Sequence, residues 1–166
     1  LCISTERHCL QPFRELLGRL NDDGGVPPVS CIVSDAVMFF TIDAAEELGV
    51  PQVLLWTASA CGLLGYAQYE KLIHRGLTPF KDPSYLTNGD LDLVLDWVSG
   101  MKDISMRDIP SFIRTTDPND SMIGYLQRLV HQSKRASAIL FNSFDILELE
   151  VFQSLSSDFP PLYTLG

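Results

Sequence analysis

Apolar residues recur along this chain in two rhythms, and their succession outlines a fold. Over 8–20 they fall at Leu10, Phe13, Leu16, Leu17 and Leu20, the spacing of a helix with one buried face. A polar stretch rich in Gly and Pro follows at 21–28 and predicts a loop. Continuous apolar runs at 29–34, 52–56 and 138–142 predict buried strands, and another strand begins at 162–165. Helical spacing returns at 36–48, 58–75, 121–134 and 144–155. Gly49 and Pro51 stop the first of these in the expected order, and His74, Arg75 and Gly76 close the second. A turn is expected at 117–120.

The stretch 77–116 breaks both rhythms. It holds Pro79, Pro83 and Pro110 with Asn88-Gly89 and Ser99-Gly100 turns, and is expected to be irregular, with short helices near 91–98 and 106–112. An excursion of this length is more often functional than idle. Without it, helices alternate with strands. Continuous rather than alternating apolar strands predict a parallel sheet covered on both faces. The expected class is α/β, a doubly wound parallel sheet of Rossmann-like type.

Composition narrows the function. Of 166 residues, 46% are hydrophobic and 20% charged, which suits one ordered domain. The net charge of −9 disfavours nucleic acid or an anionic membrane as partner. No apolar run approaches the roughly 20 residues of a membrane span. The expected location is cytoplasmic, where Cys2, Cys9, Cys31 and Cys61 are free thiols. They have no zinc spacing with one another or with histidine, so no metal is expected. The chain begins with Leu1 and ends on an apparent strand, and is expected to be a partial sequence.

The G-x-G-x-x-G, Walker, H-E-x-x-H and G-x-S-x-G patterns are absent. Ligands of open α/β sheets gather at the carboxyl ends of strands. Two junctions qualify, Ser34-Asp35 and Thr57-Ala58-Ser59. Asp35 can cap a helix or orient a histidine. His8, His74 and His131 are the three histidines, and none falls at a strand end. Thr57 and Ser59 can cap the next helix or bind a sugar or phosphate. Cys61 can be a packing residue or a nucleophile activated by a helix start, which would make the protein a cysteine-dependent hydrolase or amidotransferase. Trp56, Trp97 and Phe39-Phe40 can line an apolar pocket or fill a core. A non-catalytic domain binding a small apolar ligand is a third reading.

Several stretches in order carry a resemblance. They are Val29-Ser30-Cys31-Ile32-Val33-Ser34-Asp35, Asp43-Ala44-Ala45-Glu46-Glu47-Leu48-Gly49-Val50-Pro51, Trp56-Thr57-Ala58-Ser59-Ala60-Cys61-Gly62 and Tyr85-Leu86-Thr87-Asn88-Gly89. Asp108-Ile109-Pro110-Ser111-Phe112-Ile113-Arg114-Thr115-Thr116-Asp117-Pro118 and Ala138-Ile139-Leu140-Phe141-Asn142-Ser143-Phe144 follow. Together they resemble the plant small-molecule UDP-glycosyltransferases, above all the subgroup that glucosylates cyanohydrins, iridoids and terpenoid alcohols. The resemblance implies the two-domain GT-B fold, with residues 1–166 a partial amino-terminal acceptor domain and the nucleotide-sugar domain outside the chain. It implies that Asp35 partners a catalytic histidine lying outside this chain, that Thr57 reaches the donor sugar, and that Val37 and Tyr66 face the acceptor. It places Cys61 in a packing helix. It also implies UDP-glucose as co-substrate, a small terpenoid, iridoid, cyanohydrin or phenolic acceptor, no metal or other cofactor, and a monomer.

Overall fold

A computed structural model describes residues 2–166. Helices α1 (Cys2–His8) and α2 (Leu10–Asp22) precede strand β1 (Ile32–Asp35). A 3-10 turn, Ala36–Met38, leads into α3 (Phe40–Leu48), then β2 (Gln52–Trp56), α4 (Ala60–Ala67) and α5 (Tyr69–His74). After the irregular excursion come α6 (Ser121–Ser133), β3 (Ala138–Phe141), α7 (Leu149–Leu155) and β4 (Leu162–Thr164). The strands pair in parallel in the order β1-β2-β3-β4. All four strands therefore end at one edge.

The predicted alternation of helix and strand is present, with instructive differences. Helix α1 lies ahead of the predicted start, and a bidentate pair from Arg128 to Glu6 ties it to α6 at 2.7 and 2.8 Å. Strand β1 starts at Ile32 rather than 29 and includes Asp35 as its last residue. The helix expected over 58–75 starts at Ala60 and divides at Gln68. That expected over 144–155 starts only at Leu149, leaving 144–147 as a turn with Ile146 92% exposed.

Coverage of the sheet also departs from expectation. Ile32, Leu54, Trp56, Ile139 and Phe141 point to one face and are buried. Val33, Val53, Leu55, Leu140 and Tyr163 point to the other, and none of these is buried. Consecutive strand order explains this. Crossovers of one hand place successive connecting helices on the same face. The described residues therefore wind one face, and the apolar character of the second is met by no described helix.

Behind the edge, a buried polar knot joins β1, β2 and α3. The Gln52 side chain is 3% exposed, and its Nε2 donates to Ser34 Oγ at 2.8 Å and Thr41 Oγ1 at 3.0 Å. Thr41 donates in turn to the Met38 carbonyl at 2.9 Å. The residue before Asp35 and the turn after it are thus both pinned.

Neither short helix expected within 77–116 forms at its predicted place. Leu95 N–H donates to the Ile104 carbonyl at 2.8 Å and Met106 N–H to the Leu93 carbonyl at 3.0 Å. This is antiparallel pairing, turned by Gly100 and Asp103 at positive φ. Single turns of 3-10 helix occur at Pro83–Leu86, Asp90–Asp92 and Ser111–Ile113. The excursion is nonetheless part of the core, burying Phe80, Leu95, Val98, Met106, Ile109 and Ile113. Tyr69 of α5 donates to the Pro110 carbonyl at 2.6 Å. Gly65 of α4 lets the proline ring approach, because a Cβ there would lie 2.6 Å from Pro110 Cδ.

Candidate active site

The ends of β1 and β2 adjoin, since Asp35 pairs in register with Leu55, two residues before Thr57. Asp35 and Thr57 therefore emerge from neighbouring strands at the same edge.

Asp35 caps the 3-10 turn, its Oδ1 accepting from Val37 N–H at 2.9 Å. That is the local role its position predicts. It occupies one carboxylate oxygen, and Oδ2 has no hydrogen-bond partner among the described residues. The turn is also held from outside. Tyr125 of α6 donates to the Val37 carbonyl at 2.7 Å, and its ring packs on Phe39 at 5.4 Å. Burial is the main cause that pushes the Tyr125 phenol up to about 12, so it stays a donor at neutral pH.

His8 ends α1, His74 ends α5 and His131 lies in the last turn of α6, all exposed. Among the described residues, none has a hydrogen bond or ion pair to Asp35.

Thr57 is exposed and lines an open cavity of about 490 Å³ with Ser59, Cys61, Asn142, Phe144 and Leu147. Ser59 is the N-cap of α4, its Oγ accepting from Gly62 N–H at 3.2 Å. Glu148, which sequence reasoning missed, occupies the rest of this helix start. Its side chain is 7% exposed and accepts from Ala60 N–H at 3.0 Å and Cys61 N–H at 2.8 Å, and from the Ser143 hydroxyl. Burial alone would raise its pKa. The Ser143 hydroxyl and the two amides outweigh that and hold the carboxyl below its usual value. The first N–H groups of α4 are therefore already satisfied by protein, and Ser59 takes the capping role open to it.

The environment of Cys61 opposes the thiolate. Burial first, and then the adjacent Glu148 carboxylate, push its thiol up to about 11. A nucleophilic cysteine needs the opposite shift.

Of the candidate pocket aromatics, Trp56, Phe39 and Phe40 fill the core, and Trp97 is partly exposed. Trp56 is 5% exposed, and its Nε1 donates to the Ser59 carbonyl at 3.0 Å. Phe39 and Phe40 are buried, Phe40 edge-on to Phe13. Trp97 lies beneath Arg75, whose guanidinium carbon is 3.9 Å from the ring centroid. Val37 is half-exposed beside Asp35. Tyr66 packs edge-on to Trp56 and Tyr69 and faces Val130 and His131 of α6 and its C-cap Lys134 across a crevice of about 60 Å³. The structure thus brings Asp35, Val37 and Thr57 to one edge and sets Tyr66 deeper, between helices.

No family model matches this chain. Curated relatives do. It is 57% identical over 166 residues to UDP-glycosyltransferase 85A2 of Arabidopsis thaliana, covering 100% of this chain and 34% of that protein. It is 55% identical over 166 residues to (R)-mandelonitrile beta-glucosyltransferase of Prunus dulcis, with the same coverage. It is 57% identical over 168 residues to 7-deoxyloganetin glucosyltransferase of Catharanthus roseus, again covering 100% and 34%.

The chain belongs to the plant UDP-glycosyltransferases.

It spans about a third of the length of the curated relatives it matches. Solved structures agree on the fold. Phytolacca americana UGT2, complexed with UDP-2-fluoro-glucose and pterostilbene, matches with a TM-score of 0.78 at 23% identity, covering 97% of this chain and 34% of that one. A Polygonum tinctorium UDP-glucosyltransferase capable of glucosylating indoxyl matches with a TM-score of 0.78 at 20% identity, covering 99% and 35%. The parallel sheet with its helices is that of the amino-terminal domain of GT-B glycosyltransferases. Among the described residues, no helix is long and apolar enough to cross a membrane, and no cluster of potential metal ligands occurs.

Two measurements follow for this plant glycosyltransferase segment. A lowered Glu148 pKa stabilises the fold above the unfolded carboxyl value, about 4.3. That stability is lost as pH falls through the lower folded value. Glu148→Gln is therefore expected to cost about 1–3 kcal/mol in urea unfolding at pH 7, with the difference from the parent shrinking below about pH 4. Mass-mapped alkylation at pH 7.5 is expected to label Cys61 on the order of a hundredfold more slowly than exposed Cys31. Equal rates would restore the nucleophile reading.

Proposed function

We propose that this chain supplies the acceptor side of a UDP-sugar-dependent transferase that moves glucose onto a hydroxyl of a small plant metabolite, with inversion. The carrying observation is the placement of Asp35 and Thr57 at adjacent carboxyl ends of a parallel sheet. The names of the matched relatives favour a glucose donor and an iridoid or cyanohydrin acceptor. Related terpenoid and phenolic alcohols fall in the same class.

In the proposed mechanism a histidine supplied from outside these residues takes the proton of the acceptor hydroxyl. Asp35 receives the ring N–H on its free Oδ2 and stabilises the imidazolium that forms. Its Oδ1 remains anchored on Val37, so the carboxylate is oriented before substrate arrives. The acceptor oxygen attacks the anomeric carbon in line. UDP departs, its charge stabilised by groups of the nucleotide-binding domain. The Thr57 hydroxyl, which has no hydrogen-bond partner among the described residues, holds a hydroxyl of the donor sugar. Val37 stands beside the reacting acceptor, and Tyr66 shapes the pocket from behind through its packing on Trp56.

No metal takes part in this scheme. The enzyme is proposed to be cytoplasmic and monomeric. The 166-residue chain alone is proposed to be inactive, because none of its histidines reaches Asp35.

The test is sugar transfer from UDP-glucose by a full-length transferase carrying these 166 residues. Asp35→Ala is expected to lower kcat by roughly 10²–10⁴-fold with little change in thermal unfolding. Undiminished turnover would remove Asp35 from the mechanism.

A further inference from the structure

Glu148 is a nearly buried carboxylate to which the proposed sugar transfer gives no task. It lies in the connection between β3 and α7, yet its hydrogen bonds go to the start of α4. It also takes the Ser143 hydroxyl from its own loop. One side chain therefore joins the turn that ends β2 to the turn that ends β3. A backbone bond from Asn142 N–H to the Trp56 carbonyl at 3.2 Å continues the same seam.

Thr57 lies within this seam. On one side Trp56 is fixed by its pairing with Phe141 and by its indole bond to the Ser59 carbonyl. On the other, Ala60 and Cys61 are held by Glu148, and Gly62 by Ser59. Thr57, Ala58 and Ser59 are the exposed residues between these two anchors, and Ser59 is itself engaged by Trp56 and Gly62. A helix start normally offers bare N–H groups and a partial positive charge, and so attracts phosphate. Here Glu148 fills that position with a fixed negative charge. What remains for a ligand is the neutral Thr57 hydroxyl, with Asn142 across the cavity.

We propose that Glu148 is a positioning residue that acts through the Thr57 turn, fixing the threonine for a neutral sugar hydroxyl and barring the diphosphate from the α4 start. This rests on the glycosyltransferase reading of the site. It adds a residue some ninety positions away in the chain that sets how the donor is held. Gln can accept a hydrogen bond with one oxygen only, and it turns an N–H group towards the helix amides. The Thr57 turn would then be free to shift, and a shift of about 1 Å can cost on the order of a hundredfold in rate.

The experiment uses a full-length transferase carrying these residues, with UDP-glucose as donor and 7-deoxyloganetin as acceptor. Four forms are compared: the parent, Glu148→Gln, Thr57→Ala and the double variant. Glu148→Gln is expected to lower kcat/KM for UDP-glucose roughly ten- to hundredfold and to leave the acceptor KM within about twofold. The double variant is expected to be no worse than Thr57→Ala alone, because both changes act through one group. Multiplicative losses, or equal changes in both KM values, would assign Glu148 a purely structural role and overturn the proposal. Ser143→Ala removes one of the carboxylate's partners and is expected to shift the same donor parameter in the same direction by a few-fold. It decides the matter if Glu148→Gln fails to fold, and an unchanged donor KM and kcat in that variant would then overturn the proposal. A parent protein that transfers no sugar to any acceptor would instead defeat the glycosyltransferase reading itself.

Discussion

A parallel sheet imposes one constraint from which the rest of this molecule follows: every strand must end at the same edge. Parallel neighbours cannot be joined by a tight hairpin, so each return to the sheet needs a long crossover. Here the crossovers are α3, the long passage through α4, α5, the excursion and α6, and finally α7. The turns that end β1, β2 and β3 are thereby set side by side, although Asp35, Thr57 and Asn142 are far apart in sequence. Chemistry that needs several groups at one place is therefore possible at this edge.

Holding those turns still is a separate task, and buried polar groups perform it. Gln52, Ser34 and Thr41 lock β1 to β2 and α3 just behind Asp35. Tyr125 grips the Asp35 turn from α6. Glu148 ties the Thr57 turn to the end of β3. Each group is costly to bury without partners, and together these contacts define one geometry at the edge. The same carboxylate helps keep Cys61 protonated. A single buried charge therefore stiffens the edge and, together with burial, opposes ionisation of the thiol beside it.

The architecture was legible because period and punctuation agreed. Gly49 before Pro51 marked the end of α3, and it takes up the left-handed cap conformation that such a glycine predicts. The apolar runs ending near Asp35 and Trp56 are strands, so the two candidate junctions were found from sequence. Three things were hidden. A short helix is expected near 91–98, whereas backbone pairing across Gly100 governs that stretch. Coverage of the second sheet face depends on winding direction, which strand composition does not encode. Glu148 sits between Leu147 and Leu149, and helical spacing over 144–155 gave no reason to single it out. Its importance arises only because 144–147 forms a turn and carries the carboxylate to the start of α4. Nor does its charge mark it out, because Asp145 and Glu150 stand on either side of it. The placement of Tyr66 between α4 and α6 was hidden for a similar reason, since it depends on how two helices distant in sequence meet.

The account's central claim is that the edge bearing Asp35 and Thr57 is where sugar is transferred. Its most direct test is a crystal structure of a full-length transferase carrying these residues, soaked with the non-transferable donor UDP-2-fluoro-glucose. The account predicts a sugar hydroxyl about 2.7–3.0 Å from the Thr57 hydroxyl, and a histidine N–H on the Asp35 oxygen that Val37 leaves free. A donor sugar seated away from this edge, with Asp35 bonded to Val37 alone, would contradict it.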